Sequence, residues 1–415
     1  MSIRAYCHIP KKLSEKAPEG SCPELLYDLM SELEGATEVH IASYLFNNPI
    51  LFEFLSEMAK KGCEVIITSL PLRGYKDKPT KVKGYLDKIS GQDMARQIYE
   101  KIYKTANMQL NIFPHLYSWY GALYAGGGAS YSFHVKSIYA VFPNTSKCFI
   151  TSGNFMFTDP YHSENMLVIE EEIEYRDTFV QFFKDLETYA VPYEKFKSDF
   201  KEEEQEFLYS FYDNTKELSK AESRNCFFTA PFYKYDEQGS NHYAGERIIE
   251  LIKNAENRIW LCAQHFHDIS SFDTERSSII NAIYDKHLLD SDVEFKFLKQ
   301  VPHSSLADKR RAAIAETLFQ YVINAEQRYN RLTHDKFIII DDTLVVSTAN
   351  YTSTQFAYGV RPAELKANKK IKKLDVFSEV NSFVVIPNCP PEVIEQYEKH
   401  FLELWNTGEV IKINI

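Results

Sequence analysis

The two halves of the sequence repeat one order of apolar strands, amphipathic helices and polar residues. Residues 36–71 and 255–300 each read as a strand, a loop, a helix and a second strand. The segments 132–157 and 332–353 then match one another, and each half closes on a helix rich in aromatic residues. Because strands alternate with helices, the sequence predicts an α/β fold of two pseudo-symmetric lobes, each a mixed β-sheet flanked by helices.

A strongly charged stretch separates the two copies. Residues 197–225 are helical in pattern and rich in Lys and Glu. We therefore predict an N-terminal lobe at 1–195, a helical connector at 196–225 and a C-terminal lobe at 226–415. If the polar strand-end residues of one copy must meet those of the other, the active site lies at the lobe interface.

Each copy carries the same four kinds of polar side chain around its central strands. The histidine and lysine are two positions apart, so they project from one face of a strand. After a turn and a second strand comes an asparagine, and a glutamate then opens a third strand, where it can orient the imidazole. These residues are His134, Lys136, Asn154 and Glu164 in copy one, and His334, Lys336, Asn350 and Glu379 in copy two.

This set of side chains is suited to a phosphate group. Lysine supplies positive charge, asparagine and hydroxyl groups supply donors, and histidine supplies a nucleophile or a proton. Two such sets around one phosphate would stabilise the added charge of a transition state without a metal ion. We therefore predict a two-step displacement through a covalent phosphohistidine, with no cofactor and no metal. Which histidine is the nucleophile stays open.

The pattern resembles the phospholipase D superfamily, whose signature is HxKxxxxD followed by a GSxN-like segment, twice per active site. Copy two fits with His334, Lys336 and Asp341, and its segment STAN stands for GSxN. Copy one departs from the signature, because Val141 replaces the aspartate and TSGN replaces the glycine-serine pair. The resemblance implies catalysis by the histidines, lysines and asparagines of both copies. It implies supporting roles for Asp341, Ser152 and Thr348.

The distribution of charge favours a nucleic acid as the substrate. The formal net charge is −11, which argues against a protein that coats nucleic acid indiscriminately. Three basic clusters nevertheless occur in segments expected as loops near the site, where they would bind a polyanion. Their residues are Arg73, Lys76, Lys78, Lys81 and Lys83, then Lys309, Arg310 and Arg311, then Lys369, Lys370, Lys372 and Lys373.

Two other functions compete with a metal-independent DNA or RNA endonuclease. A phospholipase D or phosphatidyl transferase would show an apolar docking surface or a spanning helix, and the sequence shows neither. A catalytically silent scaffold is disfavoured by the intact second copy. Seven scattered cysteines and the absence of a signal segment predict a cytoplasmic protein with no membrane partner. Protein partners of a restriction or antiviral defence system are expected by analogy, and the oligomeric state stays open.

Overall fold

Most of the chain is placed in the computed structural model. The structure describes residues 2–11, 18–70, 89–113, 117–118, 123–125, 132–157, 159, 161–199, 206–207, 215–221, 224–237, 239–267, 278–290, 292–301, 306–321, 323, 325–356, 360–367, 370–377 and 379–411.

Helices and strands alternate through both halves. The helices are α1 (Pro23–Leu33), α2 (Pro49–Lys60), α3 (Gly91–Lys104), α4 (Ile173–Tyr189), α5 (Tyr193–Asp199), α6 (Ser240–Lys253), α7 (Ile279–Leu289), α8 (Leu306–Tyr321), α9 (Ser353–Phe356) and α10 (Pro391–Asn406). The strands of the first half are β1 (Ser2–His8), β2 (Glu38–Ser43), β3 (Glu64–Ser69), β4 (Met108–Ile112), β5 (Tyr117–Ser118), β6 (Leu123–Ala125), β7 (Ser132–Phe133), β8 (Lys136–Val141), β9 (Ser146–Thr151), β10 (Glu164–Glu170) and β11 (Val191–Pro192). The remaining strands are β12 (Glu206–Phe207), β13 (Lys216–Glu217), β14 (Cys226–Thr229), β15 (Tyr233–Lys234), β16 (Arg258–Ala263), β17 (Phe266–His267), β18 (Glu294–Lys299), β19 (Glu326–Tyr329), β20 (Lys336–Ile340), β21 (Thr343–Ser347), β22 (Tyr351–Thr352), β23 (Val360–Ala367), β24 (Lys370–Phe377), β25 (Glu379–Ile386) and β26 (Glu409–Val410).

Two large mixed sheets have the same topology. The first has the order β1-β10-β9-β8-β2-β3-β4-β11, and the second has the order β14-β25-β21-β20-β16-β18-β19-β26. In each, three parallel strands (β2, β3 and β4, or β16, β18 and β19) adjoin an antiparallel set. The predicted α/β fold of two pseudo-symmetric lobes is confirmed.

The core of each lobe forms because its central strands are apolar on both faces and helices cover them. Every residue of β20 is buried, as are the last five residues of β2. Several helices begin at sequence signals that satisfy their first N–H groups. Asn48 accepts from Leu51 N before α2, and Ser90 accepts from Asp93 N before α3. These caps fix the strand–helix connections that lead to the site.

The segment between the lobes differs from the predicted helix where the structure describes it. Helix α5 ends at Asp199, while 206–207 and 216–217 are short strands that pair with β5 and β15. Pairing with distant strands therefore overrides the local helical pattern at these positions. Within the described part of the chain, no helix combines the length and the apolar character needed to cross a membrane.

Candidate active site

The two histidine–lysine pairs lie at corresponding strand ends of the two sheets. Lys136 and Lys336 open β8 and β20 and are fully buried, and each Nζ donates to the backbone carbonyl of its own histidine, His134 or His334. Burial lowers the pKa of His134, and the charges of Lys136, Lys336 and His334 lower it further, so the two pairs share one electrostatic environment. The structure thus brings the predicted catalytic pairs of the two copies together.

Glu164 from the first lobe contacts His334 from the second. Its two carboxylate oxygens lie 2.9 and 3.0 Å from His334 Nδ1, and Glu164 is fully buried. Burial and the nearby lysines lower the pKa of His334, and burial raises the pKa of Glu164. We interpret the contact as a neutral imidazole that donates Nδ1–H to the carboxylate. This leaves Nε2 of His334 available for chemistry.

Asn381, and not Glu379, is the corresponding partner of His134. Asn381 Oδ1 lies 3.2 Å from His134 Nδ1, whereas the Glu379 carboxylate accepts a hydrogen bond from Gln355 Nε2. Backbone bonds define the equivalence, because Ser152 N donates to Asn165 O as Thr348 N donates to Ser382 O. The residues preceding those acceptors, Glu164 and Asn381, are therefore equivalent.

The expectation that Glu379 orients an imidazole is therefore corrected. The same Ser-Glu dipeptide precedes the third strand in both copies. In the second lobe, however, β25 begins two residues before the equivalent of Glu164, and β7 pairs with that extension at Glu379 and Val380. Period two keeps Glu379 and Asn381 on one face, and Asn381 occupies the position equivalent to Glu164.

The predicted supporting hydroxyls hold these two partners. Ser152 Oγ donates to Glu164 Oε2 at 2.6 Å, and Thr348 Oγ1 lies 3.1 Å from Asn381 Oδ1. Ser21 Oγ donates to the other oxygen of Glu164 at 2.9 Å. Each histidine therefore has a partner that is itself fixed by hydrogen bonds.

The two lysines are charged groups inside a desolvated site. Burial lowers the pKa of Lys336 to about 8 and holds the pKa of Lys136 well below its usual value, with a further contribution from Lys336 to the latter. Burying a cation without a full counter-charge is costly, so this site favours an anion between the lysines.

The two asparagines differ in their present partners. Asn154 Nδ2 donates to Asp159 Oδ2 at 3.0 Å, and the Asp159 carboxylate raises the pKa of both lysines. Asn350 Oδ1 is buried, and it has no hydrogen-bond partner within the described residues. A carboxylate of the protein thus lies close to the groups predicted to bind phosphate.

Asp341 supports the second lobe from the opposite end of β20. Its carboxylate accepts hydrogen bonds from the backbone N–H groups of Glu256, Asn257 and Arg258, at 2.7 to 3.0 Å. It has a left-handed φ of 53° at the turn between β20 and β21. In copy one Val141 ends β8, and the turn to β9 is longer.

The predicted basic surface is described only in part. Arg73, Lys76, Lys78, Lys81, Lys83 and Lys369 lie outside the described residues. Lys309, Arg310 and Arg311 lie on α8 and not in a loop, which agrees with the strong helix formers around them. Lys370, Lys372 and Lys373 belong to β24, which pairs with β23 and is also not a loop.

Four residues near the site were not predicted from sequence. They are Asn381, Asp159, Asp335 and His162. The ring of His162 stacks on that of His334, with centroids 5.1 Å apart. Two of them had a signal in the sequence. Asp335 lies between His334 and Lys336 in the pattern HDK, and His162 lies two residues before Glu164.

One group near the site has the donor set of a metal site. Donor atoms of His162, Glu164 and His334 lie within 4.8 Å of one another. Imidazole and carboxylate ligands suit Zn²⁺. The neighbouring lysines oppose the binding of a divalent cation there.

Comparison with known proteins finds one matching family model, in the second half of the chain. A family model described as "Cardiolipin synthase, PLD-like domain" matches residues 248–405, which hold the complete second motif. Residues 248–405 are therefore similar to this PLD-like domain family. No curated protein sequence matches the chain.

Solved structures similar to this chain include one with a TM-score above 0.5, which supports the same fold. Phosphatidylserine synthase from Haemophilus influenzae is similar with a TM-score of 0.55 and 10% identity, over 99% of this chain and 87% of that one. Polyphosphate kinase from Porphyromonas gingivalis has a TM-score of 0.49 and 10% identity to this chain. The match covers 91% of this chain but only 44% of the length of the kinase. The phospholipase D family member Nuc from Salmonella typhimurium has a TM-score of 0.29 and 17% identity to this chain. The match covers 45% of this chain and 97% of Nuc.

Proposed function

We propose that this chain is a phospholipase D-type enzyme that hydrolyses phosphodiester bonds of nucleic acid through a phosphohistidine. The observation that carries the proposal is the pair of cross-lobe contacts, His334 to Glu164 and His134 to Asn381. Each contact engages Nδ1 and leaves Nε2 for the reaction. Two buried lysines beside them supply positive charge for a phosphate.

The unequal partners of the histidines suggest their roles. In the first step, Nε2 of His134 attacks phosphorus, a P–N bond forms, and the P–O bond to the leaving group breaks. The leaving oxygen takes the Nε2 proton of His334, which enters this step as an imidazolium because the anionic phosphate of the bound substrate and the Glu164 carboxylate favour its protonated form. In the second step, neutral His334 removes a proton from water, the resulting hydroxide attacks phosphorus, and the P–N bond breaks. His134 is regenerated and the phosphate product leaves.

The basic clusters favour nucleic acid over other phosphodiesters. Lys309 and Arg310 are exposed on α8, and the other clusters are basic in sequence. A basic surface on an acidic protein suits a polyanion and limits nonspecific adhesion. We further propose a cytoplasmic enzyme that acts as an endonuclease with protein partners in restriction or antiviral defence.

A phospholipid substrate is the second candidate. The matching family model is described as cardiolipin synthase, and a phosphatidylserine synthase has a similar fold. The same chemistry would then release or exchange a lipid headgroup. A silent scaffold is disfavoured because both histidines keep an oriented Nδ1.

The test uses labelled single- and double-stranded DNA, RNA, and phosphatidylglycerol or phosphatidylserine vesicles, all in excess EDTA. We expect cleavage of a nucleic acid, and His134→Ala and His334→Ala should each lower kcat by about 10³-fold or more. His287→Ala is the matched control, because His287 packs on Phe295 at the other end of the sheet. Turnover of lipid but of no nucleic acid would contradict the proposed substrate class. Full activity of both histidine variants would contradict the proposed mechanism.

A further inference from the structure

Asp335 is a buried carboxylate that the proposed reaction does not use. It is fully buried, and its side chain accepts hydrogen bonds from Ser163 Oγ at 2.5 Å, Asn165 Nδ2 at 2.8 Å and His400 Nε2 at 3.1 Å. Burial raises the pKa of Asp335, but the charge interaction with His400 and these hydrogen bonds outweigh burial and lower the pKa to about 2. A carboxylate is suited to this place, because it can accept all three bonds.

The partners of Asp335 flank Glu164 on both sides. Ser163 pairs with Thr333 in a parallel bridge, and Ser163 N donates to Leu332 O at 2.7 Å. Successive residues of the two paired segments alternate in direction. Glu164 and His334 therefore meet on one side of this inter-lobe crossing, while Ser163, Asn165 and Asp335 meet on the other.

The second inter-lobe crossing lacks a charge at the equivalent place. There His134 N donates to Val380 O at 2.9 Å, and fully buried Val135 stands where Asp335 stands in the first crossing. Ser137 Oγ bonds Ser382 Oγ at 2.9 Å. The first crossing thus holds the charged histidine partner Glu164 together with the charged residue Asp335. The second crossing holds the neutral histidine partner Asn381 together with the neutral residue Val135.

We propose that Asp335 is a positioning residue that holds Glu164 against Nδ1 of His334. By fixing Ser163 and Asn165, it sets the backbone on either side of Glu164 and keeps that carboxylate from turning toward the adjacent lysine. The proposal rests on the proposed function for its effect on rate. The geometry of the pair can be measured without any substrate.

The decisive variant is Asp335→Asn, which keeps the shape of the side chain but places an amide against three donors. We expect kcat to fall about 10- to 100-fold while KM stays within about threefold, as for other residues that orient a catalytic group. In protein labelled with ¹⁵N-histidine, the downfield Nδ1–H signal of His334 should shift or disappear. Ser163→Ala removes one donor and should act in the same direction with a smaller effect.

The matched control is Ser137→Ala at the second crossing, which should leave the His334 signal in place. If Asp335→Asn does not fold, Ser163→Ala carries the test. Lowered thermal stability of these variants, with an unchanged His334 signal and unchanged kcat, would overturn the proposal. A wild-type protein that cleaves no substrate would defeat the proposed function, while the His334 signal would still decide the role of Asp335.

Discussion

Glu164 and Asn381 hold equivalent places beside the two histidines, but only Glu164 carries a negative charge. A hydrogen bond to a charged group contributes about 1.5–3 kcal/mol, and a neutral one contributes about 1 kcal/mol. The imidazolium that forms during the reaction would therefore be stabilised more strongly at His334 than at His134. The charge difference is the physical basis of the roles assigned to the two histidines.

Glu164→Gln should lower kcat by about 10- to 100-fold, because about 1.4 kcal/mol of lost stabilisation costs a factor of ten. Asn381→Ala should lower it by about fivefold, since a neutral hydrogen bond is lost. Steady-state kinetics at pH 7 would measure both. Glu379→Gln should have a smaller effect than Asn381→Ala, because its carboxylate pairs with Gln355. A larger effect at Glu379 would contradict the corrected assignment.

Asp159→Asn should tighten the binding of an anion at the site. The carboxylate now bonds Asn154 and raises the pKa of both lysines, so it competes with an incoming phosphate. We expect the Kd for tungstate, measured by calorimetry, to fall about tenfold, which corresponds to about 1.4 kcal/mol. Asp177→Asn is the control, because Asp177 pairs with Arg176 on α4. Weaker tungstate binding in Asp159→Asn would contradict this competition.

The sequence identified the central side chains because the chemistry requires particular residue types at short spacings. His334, Lys336 and Asn350 are separated by one turn and two short strands, so local pattern determines their placement. Asn381 and Asp335 were missed because their contacts join residues more than 150 positions apart. The two additional residues at the start of β25 are ordered by their pairing with β7. The local sequence of β25 gives no sign of this pairing.

At the scale of elements, the turn between β20 and β21 shows how a signature residue supports a strand. Asp341 closes the two-residue turn and satisfies three N–H groups that precede or open β16. Asp341, the aspartate of the signature, therefore supports the start of β16. It lies at the opposite end of β20 from Lys336.

Asp341→Ala should lower the free energy of unfolding by about 1–3 kcal/mol, because three backbone donors lose their acceptor. Asp341→Gly should cost about 1 kcal/mol less than the alanine variant, since glycine adopts the left-handed φ freely. Urea unfolding would give both values. Asp342→Ala, at the exposed neighbour in the same turn, should stay within about 0.5 kcal/mol of wild type. Equal losses at the two positions would contradict the capping role.

Strands and helices of the repeated lobes were predicted well because their apolar periodicity is strong. The segments outside the repeat were predicted less well. The alternation in 360–377 forms the hairpin of β23 and β24, which the run of lysines concealed. The connector contains β12 and β13, each held by only two residue pairs with a distant strand. Such pairings are tertiary in origin and leave almost no trace in sequence.

At the scale of the whole molecule, the stability should depend on pH through His40. Its two ring nitrogens lie 2.5 Å from carboxylate oxygens of Glu187 and Glu38. Burial alone would lower the pKa of His40, but the two hydrogen bonds outweigh burial and raise it. The stabilisation is therefore complete below the unfolded value of about 6.5 and is lost as pH rises through the folded value.

We expect wild type to exceed His40→Gln in thermal stability at pH 6, and the difference in Tm to shrink by pH 9. Calorimetric scans at the two pH values would measure it. His287→Gln serves as a control at a half-buried histidine on α7. A difference in Tm that is the same at both pH values would contradict the linkage to His40.

The partner of each histidine lies on the opposite lobe, and this has a consequence for assembly. Two chains that exchanged their C-terminal lobes would rebuild every contact of the site, including Glu164 with His334 and Asn381 with His134. A swapped dimer would thus contain two complete sites without any new interface chemistry. Shortening the segment between the lobes should favour that dimer, and its sites should remain as active per chain as those of the monomer.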